Sequence, residues 1–338
     1  MIENIRELSL LNGASGHEGS VRDFIISKIQ GKCEYKIDNL GNIIAFKKGK
    51  KSPKNKIMLD AHMDEVGVII TYITDDGLLK FGCAGGIDSK VILGRRFVFE
   101  GGAIGVAGVK PIHLLEKDER DKIPDADSLY IDIGVSSKAE AAKKVKIGEA
   151  GVFLSDFVEF GSGKIKGKAL DDRIGCAVLI DLINSELEYD AYFSFSVQEE
   201  VGLRGAQTAA YGINPDYAVV LETTTAADIQ DVPEHKRVCA LGEGAAVSFM
   251  DRSTLYSPDL FSRVFKLAEE KNIKIQPKTA IAGGNNAGAI HKSREGVKTI
   301  TVNVPCRYIH SPSCVCDTRD VESVRALAYA LISELAND

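Results

Sequence analysis

No apolar run in this 338-residue sequence approaches the roughly 18 residues needed to span a bilayer as a helix. A membrane is therefore not an expected partner. Basic residues are not in excess either. Lysine and arginine number 42 against 48 aspartates and glutamates, for a net charge of −6. The one basic stretch, residues 47–56, reads as a solvated loop, so nucleic acid is not an expected partner. The opening MIENIRELSLLNGASG carries acidic residues and lacks the apolar core of a secretory signal, and a cytoplasmic location is expected. Paired C-x-x-C spacing is also missing. Seven cysteines, an odd number in a long chain, argue for reduced thiols rather than a disulfide framework. Cys306, Cys314 and Cys316 cluster around His310, but without that paired spacing they read as buried thiols rather than a structural zinc site. No G-x-S-x-G elbow is present and no Cys-His pairing stands out, so acyl-enzyme chemistry is only weakly supported.

What is present begins with ordinary globular composition, 44% hydrophobic and 27% charged, over a length that suggests two domains. Residues 5–11 and 21–29 read as helices, with Ser15-Gly16-His17-Glu18 as a capping box for the second. Strand-like pieces follow at 35–38 and 42–46. From about 68 to 159 the texture changes to short alternating segments among many glycines, with one short helical piece at 138–145 and a structural-looking His113. This interval reads as an inserted β-rich module. Strand and helix alternate again from 171 to 335, closing with a helix over 319–335, so the remainder reads as a mostly parallel, helix-covered α/β sheet.

Carboxylates and histidines recur at the ends of the apolar strands. A run at 57–61 leads into His62-Met63-Asp64, and a carboxylate two positions on suits the second ring nitrogen of a metal-bound imidazole. An alternating strand at 191–197 stops at Glu199-Glu200, a strand at 217–221 stops at Glu222, and a third at 299–304 runs into His310. Asp171-Asp172 opens an apolar helix at 174–183. In an open α/β sheet such residues project into the ligand crevice. Two imidazoles and three carboxylates suit a pair of divalent, zinc-like ions. Crowded together without metal, these carboxyl groups and Glu199 should have strongly raised pKa values. Such a site acidifies a water shared by two metals, with Glu199 free to move its proton to a departing amine.

The ordered motifs LDAHMDEVG, ALDDRIG, VQEEVGLRGA, LETTTAAD and CRYIHSP resemble the glutamyl-aminopeptidase, TET-type family of dinuclear metalloaminopeptidases, whose members also carry the names cellulase M and endoglucanase. The resemblance implies a catalytic domain of residues 1–67 plus 160–338 and an inserted dimerisation domain of residues 68–159. It implies that His62, Asp171 and Glu222 hold one metal, and that Asp171 bridges to a second held by Glu200 and His310. Glu199 becomes the general base and Asp64 the residue that orients His62. The ions are zinc or cobalt, with manganese as a third option. A cis Asp171–Asp172 peptide and homo-oligomers, dimers built into a tetrahedral dodecamer, are also implied.

Two positions depart from the family pattern. Glu222 stands where many members carry aspartate, and Asn285-Asn286 replace Thr-Asp in the run GGNNAG. The expected function is removal of N-terminal residues from short peptides. The competing readings are an amidohydrolase acting on N-acylated or other small amides, and an assembly or binding protein with an impaired site. A glycosidase is disfavoured, because carboxylates that coordinate metals are not free to act as an acid–nucleophile pair. His291 reads as structural.

Overall fold

The four apolar runs seen in the sequence lie side by side as parallel strands. In a computed structural model that describes residues 1–117 and 121–338, their spatial order is Ala191–Ser196, Ile57–His62, Tyr217–Thr225 and Lys298–Arg307. Every residue of Ile57–His62 is buried. That is why these strands read as continuous apolar runs: a parallel sheet is covered on both faces. Ser196 sits in register with His62, and Val220 with Asp60, so the carboxyl ends of neighbouring strands share one edge. Mostly antiparallel strands at the flanks complete an eleven-stranded sheet among the described residues.

The helix Leu170–Asn184 is buried along nearly its whole length, with Leu170, Ile174, Val178 and Leu182 in the core. A helix apolar all round belongs inside a layered fold. The last helix, Thr318–Leu335, instead buries one stripe, Val321, Val324, Leu327, Ala328 and Leu331, at the spacing of a single face. Asp317 caps it by accepting from Arg319 N at 2.9 Å.

Six short strands between Gly67 and Phe153 close into an antiparallel barrel. Its interior is filled by Phe81, Phe97, Phe99, Ile131 and Phe153. The strand Arg96–Phe99 shows the expected alternation, since Phe97 and Phe99 point in while Arg96 is exposed. The short helical piece is Lys138–Ala141.

Three details differ from the sequence reading. The strand at Tyr217 continues through Glu222 to Thr225, and its partner runs on to Arg307, because β-branched Thr223, Thr224 and Thr225 keep the ladder going to Cys306. The Ser15–Glu18 segment is not a capping box. Glu18 is the N-cap residue of helix Gly19–Ile29 but makes no side-chain cap bond. Its carboxylate instead accepts from Gly16 N at 2.7 Å and Gln198 N at 3.1 Å, while Ser15 Oγ donates to Asp64. His17 lies outside the helix with Nδ1 2.7 Å from Glu100 Oε1. His113 is exposed in a 3-10 turn, so it packs no core.

Candidate metal centre

His62 is the last residue of its strand and is 1% exposed. Its Nε2 lies 3.3 Å from Asp171 Oδ1 and 3.5 Å from Glu222 Oε1. Its Nδ1 lies 3.1 Å from the Asp64 carbonyl and 3.4 Å from Asp64 Oδ1. His310 follows the strand Lys298–Arg307 at a positive φ of 58°. Its Nδ1 is 2.8 Å from Gly86 O on the barrel side, and its Nε2 is 3.3 Å from both Asp171 Oδ2 and Glu200 Oε2. Asp171 therefore offers one carboxylate oxygen to each imidazole. The backbone carbonyls at Nδ1 select the tautomer that leaves Nε2 as a ligand atom. The Asp171–Asp172 peptide is cis.

All seven candidates are brought together. His62, Asp171, Glu200, Glu222 and His310 meet as described. Asp64 lies beneath the Glu199-Glu200 turn, its Oδ1 accepting from Glu199 N at 2.9 Å and its Oδ2 from Glu200 N at 3.2 Å. Glu199 faces a cleft of about 450 Å³ that also contains Asp171, Glu200, Glu222 and His310. A larger cleft of about 670 Å³, between residues 10–22 and the barrel, contains none of them.

The donor set fits divalent cations. Glu200 Oε1 and Glu222 Oε2 are buried and have no hydrogen-bond partner among the described residues. Buried carboxylate oxygens normally find a donor, and these two belong to side chains whose other oxygens already face His310 and His62. Two groups have ligand atoms close enough to share an ion: His62, Asp171 and Glu200, and His62, Asp172 and Glu222. Neither contains a cysteine. Cys306, Cys314 and Cys316 are buried free thiols, with Cys306 opposite Cys316 across two antiparallel strands.

Electrostatics follow the crowding, with one exception. Burial first, then Glu222 and Glu200, hold Glu199 well above the ordinary glutamate range. Burial and Asp171 push Glu222 up to about 8, and burial raises Glu200. Asp171 goes the other way. Burial would raise it, but the imidazoles of His310 and His62 hold it well below the usual range, which corrects the expectation of uniformly raised values. Burial would lower His310, yet Asp171 and Glu200 push it up to about 12.

Several supporting residues were missed in the sequence. Asp172 accepts from Gly175 N at 3.0 Å and His62 N at 3.3 Å, joining the helix start to the histidine strand. A Cβ at Gly175 would lie 2.4 Å from that carboxylate. Glu65 pairs with Lys168 at 2.6 Å and Arg173 at 3.0 Å, all three buried. The adjacent signals were visible, since Glu65 follows HMD and Arg173 follows DD, but their pairing joins positions over a hundred residues apart.

The sequence model of the M42 glutamyl aminopeptidases matches residues 41–327. The chain is 35% identical over 334 residues to the lysyl aminopeptidase of Pyrococcus furiosus, covering 96% of this chain and 94% of that protein. It is 30% identical over 347 residues to the glutamyl aminopeptidase of Lactococcus lactis, covering 99% and 96%. Among solved structures it resembles the TET1 peptidase of Pyrococcus horikoshii, which assembles into a tetrahedron or a large octahedral shell, with a TM-score of 0.85, 36% identity and coverage of 100% and 99%. With the fold, the ordered motifs and these relatives in agreement, the chain belongs to the M42 glutamyl aminopeptidase family and is an aminopeptidase, a hydrolase of peptide bonds.

Proposed function

We propose that this protein removes N-terminal residues from short peptides at a centre of two divalent ions, with His62, Asp171 and Glu222 holding one and Asp171, Glu200 and His310 the other. One observation carries the reading: the two oxygens of Asp171 face two different imidazoles, each at 3.3 Å. Zinc or cobalt suits this nitrogen and oxygen set, with manganese as the third candidate. Bound there, such ions supply Lewis acidity toward a carbonyl oxygen and acidify water.

The chain's own residues account for the rest. Glu199 makes no side-chain hydrogen bond among the described residues, and its raised pKa suits a group that takes a proton from water and returns it to the departing amine nitrogen. Asp64 holds Glu199 and Glu200 by their backbone amides and sits against His62, so it positions both. The acidic lining of Asp171, Glu199, Glu200 and Glu222 favours a free α-amino group, which accounts for cleavage at the first residue only. Asn286 is 1% exposed and bonded to Asp60, so its amide takes nothing from the cleft's own carboxylates, which weighs against an impaired site.

The same reading assigns residues 1–67 plus 160–338 to catalysis and 68–159 to dimerisation, with dimers assembling further as the Pyrococcus horikoshii relative does. No helix of the described residues is long and apolar enough to cross a membrane. A cytoplasmic location is proposed with it. The names of the two relatives, lysyl and glutamyl, point to different first residues. The test is hydrolysis of unblocked and N-acetylated aminoacyl anilides before chelation, after it, and after metal add-back. Restored cleavage of unblocked substrates, lost in Glu199→Gln while both ions remain bound, is expected. A preference for N-acetylated substrates would overturn the reading.

A further inference from the structure

Ser196 is the last residue of its strand, and beyond it four successive backbone N–H groups are received by side chains. Val197 N donates to Asn42 Oδ1 at 2.9 Å and Gln198 N to Glu18 Oε1 at 3.1 Å. Glu199 N and Glu200 N donate to the two oxygens of Asp64. Within this run only Gln198 has a positive φ, 56°. A left-handed backbone is unfavourable for a residue with a side chain, and it persists where its surroundings hold it. The acceptor that meets Gln198 N is Glu18.

Glu18 is itself fixed. It is 5% exposed, it precedes the helix Gly19–Ile29, and the same Oε1 receives Gly16 N at 2.7 Å. Ser15, three residues earlier, donates to Asp64 Oδ2 at 2.6 Å. One short N-terminal segment thus backs both carboxylates that hold the turn. None of the ordered motifs that carry the family resemblance contains it. The two glutamates of the turn differ in what else restrains them. Glu200 Oε2 lies 3.3 Å from His310 Nε2. Glu199 makes no side-chain hydrogen bond among the described residues, so its backbone alone aims it. We infer that Glu18 is a positioning residue of the reaction: by receiving Gln198 N it fixes the backbone that points the Glu199 carboxylate into the cleft. The inference rests on the reading of Glu199 as the group that moves the proton, and deepens it. A displacement of about 1 Å in such a group costs on the order of 10²-fold in rate. Other side chains hold the ions and the peptide, so the loss falls on kcat.

The test compares the zinc-loaded native protein with Glu18→Ala, Glu18→Gln and Glu199→Gln. Each is measured for kcat and KM on an unblocked aminoacyl anilide, for metal content after dialysis, and for hydrogen exchange of residues 197–203 by mass spectrometry. Glu18→Ala should lower kcat on the order of 10²-fold, with KM within about threefold of native and both ions retained. Exchange of residues 197–203 should quicken in the same variant. Glu18→Gln keeps a side-chain oxygen that accepts both N–H groups, so its kcat should return to within about tenfold of native. If Glu18→Ala fails to fold, Glu18→Asp, whose carboxylate falls one methylene short of Gln198 N, carries the comparison. A role confined to folding predicts lost metal and a raised KM beside any fall in kcat, and that outcome overturns the inference. Unchanged exchange in Glu18→Ala overturns it too. The two failures are distinguishable. An inactive Glu199→Gln beside an unimpaired Glu18→Ala overturns the inference alone, whereas a fully active Glu199→Gln overturns the reading of Glu199 and the inference with it.

Discussion

The side-chain amide of Asn286 donates to Asp60 Oδ2 at 2.8 Å, beneath the metal-binding edge rather than in the cleft. The same amide nitrogen reaches Ser196 Oγ at 2.8 Å, so it links the strand that ends in His62 to the strand that leads to Glu199. In the sequence Asn286 stands where the family pattern carries aspartate. Its place in the fold makes it a strut. Asn286→Ala should leave first-residue preference unchanged and lower stability by about 1–3 kcal/mol, the usual cost of stranding a buried acceptor. Urea unfolding and the anilide panel check the two halves; a changed preference with unchanged stability would contradict this account.

Glu65 holds two buried cations, Lys168 and Arg173, while Arg173 also donates to Leu8 O and Met63 O. Removing the carboxylate in Glu65→Leu leaves both cations without their counter-charge. The expected loss is about 3–5 kcal/mol, as for breaking a buried ion pair. A urea midpoint close to that of the native protein would show that water reaches the pair.

Gly175 packs against the carboxylate of Asp172, which is fixed by His62 N and by Gly175 N itself. Gly175→Ala forces a methyl group into 2.4 Å of those oxygens. We expect about 1–3 kcal/mol of destabilisation from overpacking, together with weaker metal retention as His62 shifts. Thermal melts and metal analysis after dialysis measure both.

Asp317 accepts from Arg319 N, Nε and Nη2 and from Lys164 Nζ at the start of the last helix. Burial would raise its pKa, but Arg319 and Lys164 hold it well below the ordinary range. A depressed carboxyl pKa adds stability above the unfolded value near 3.9, and that stability is lost as pH falls through the folded value. Asp317→Asn should therefore be less stable than the native protein at pH 7, by about 1 kcal/mol or more for the weakened cap. The gap should narrow as the pH is taken below about 4. A gap that widens on acidification would reverse the sign of this argument.

Much of the site was legible because its chemistry is carried by rare residue types at strand ends. His62, Glu200, Glu222 and His310 each follow or close an apolar run, and parallel strands bring their carboxyl ends to one edge whatever the intervening chain does. The inserted barrel was legible from its alternation and glycines. The sequence reading stops that strand at Glu222, whereas it runs on to Thr225, because three threonines that continue a ladder read equally well as a loop.

What the sequence determined by itself was the kind of chemistry: two imidazoles, several carboxylates, no G-x-S-x-G elbow and no basic excess. Those facts depend on side-chain identity and local period, which folding does not alter. Only the tertiary structure decided which charges meet. Lys168 follows a short strand and Lys278 ends one, yet the first is neutralised by Glu65 from 103 residues away and the second lines the cleft. Ser15 and Glu18 have the local look of a helix cap but serve Asp64 and Gln198. Such pairings follow from strand order and burial. Burial raises the cost of an unpaired charge, so the partner that arrives, or fails to arrive, sets each residue's role.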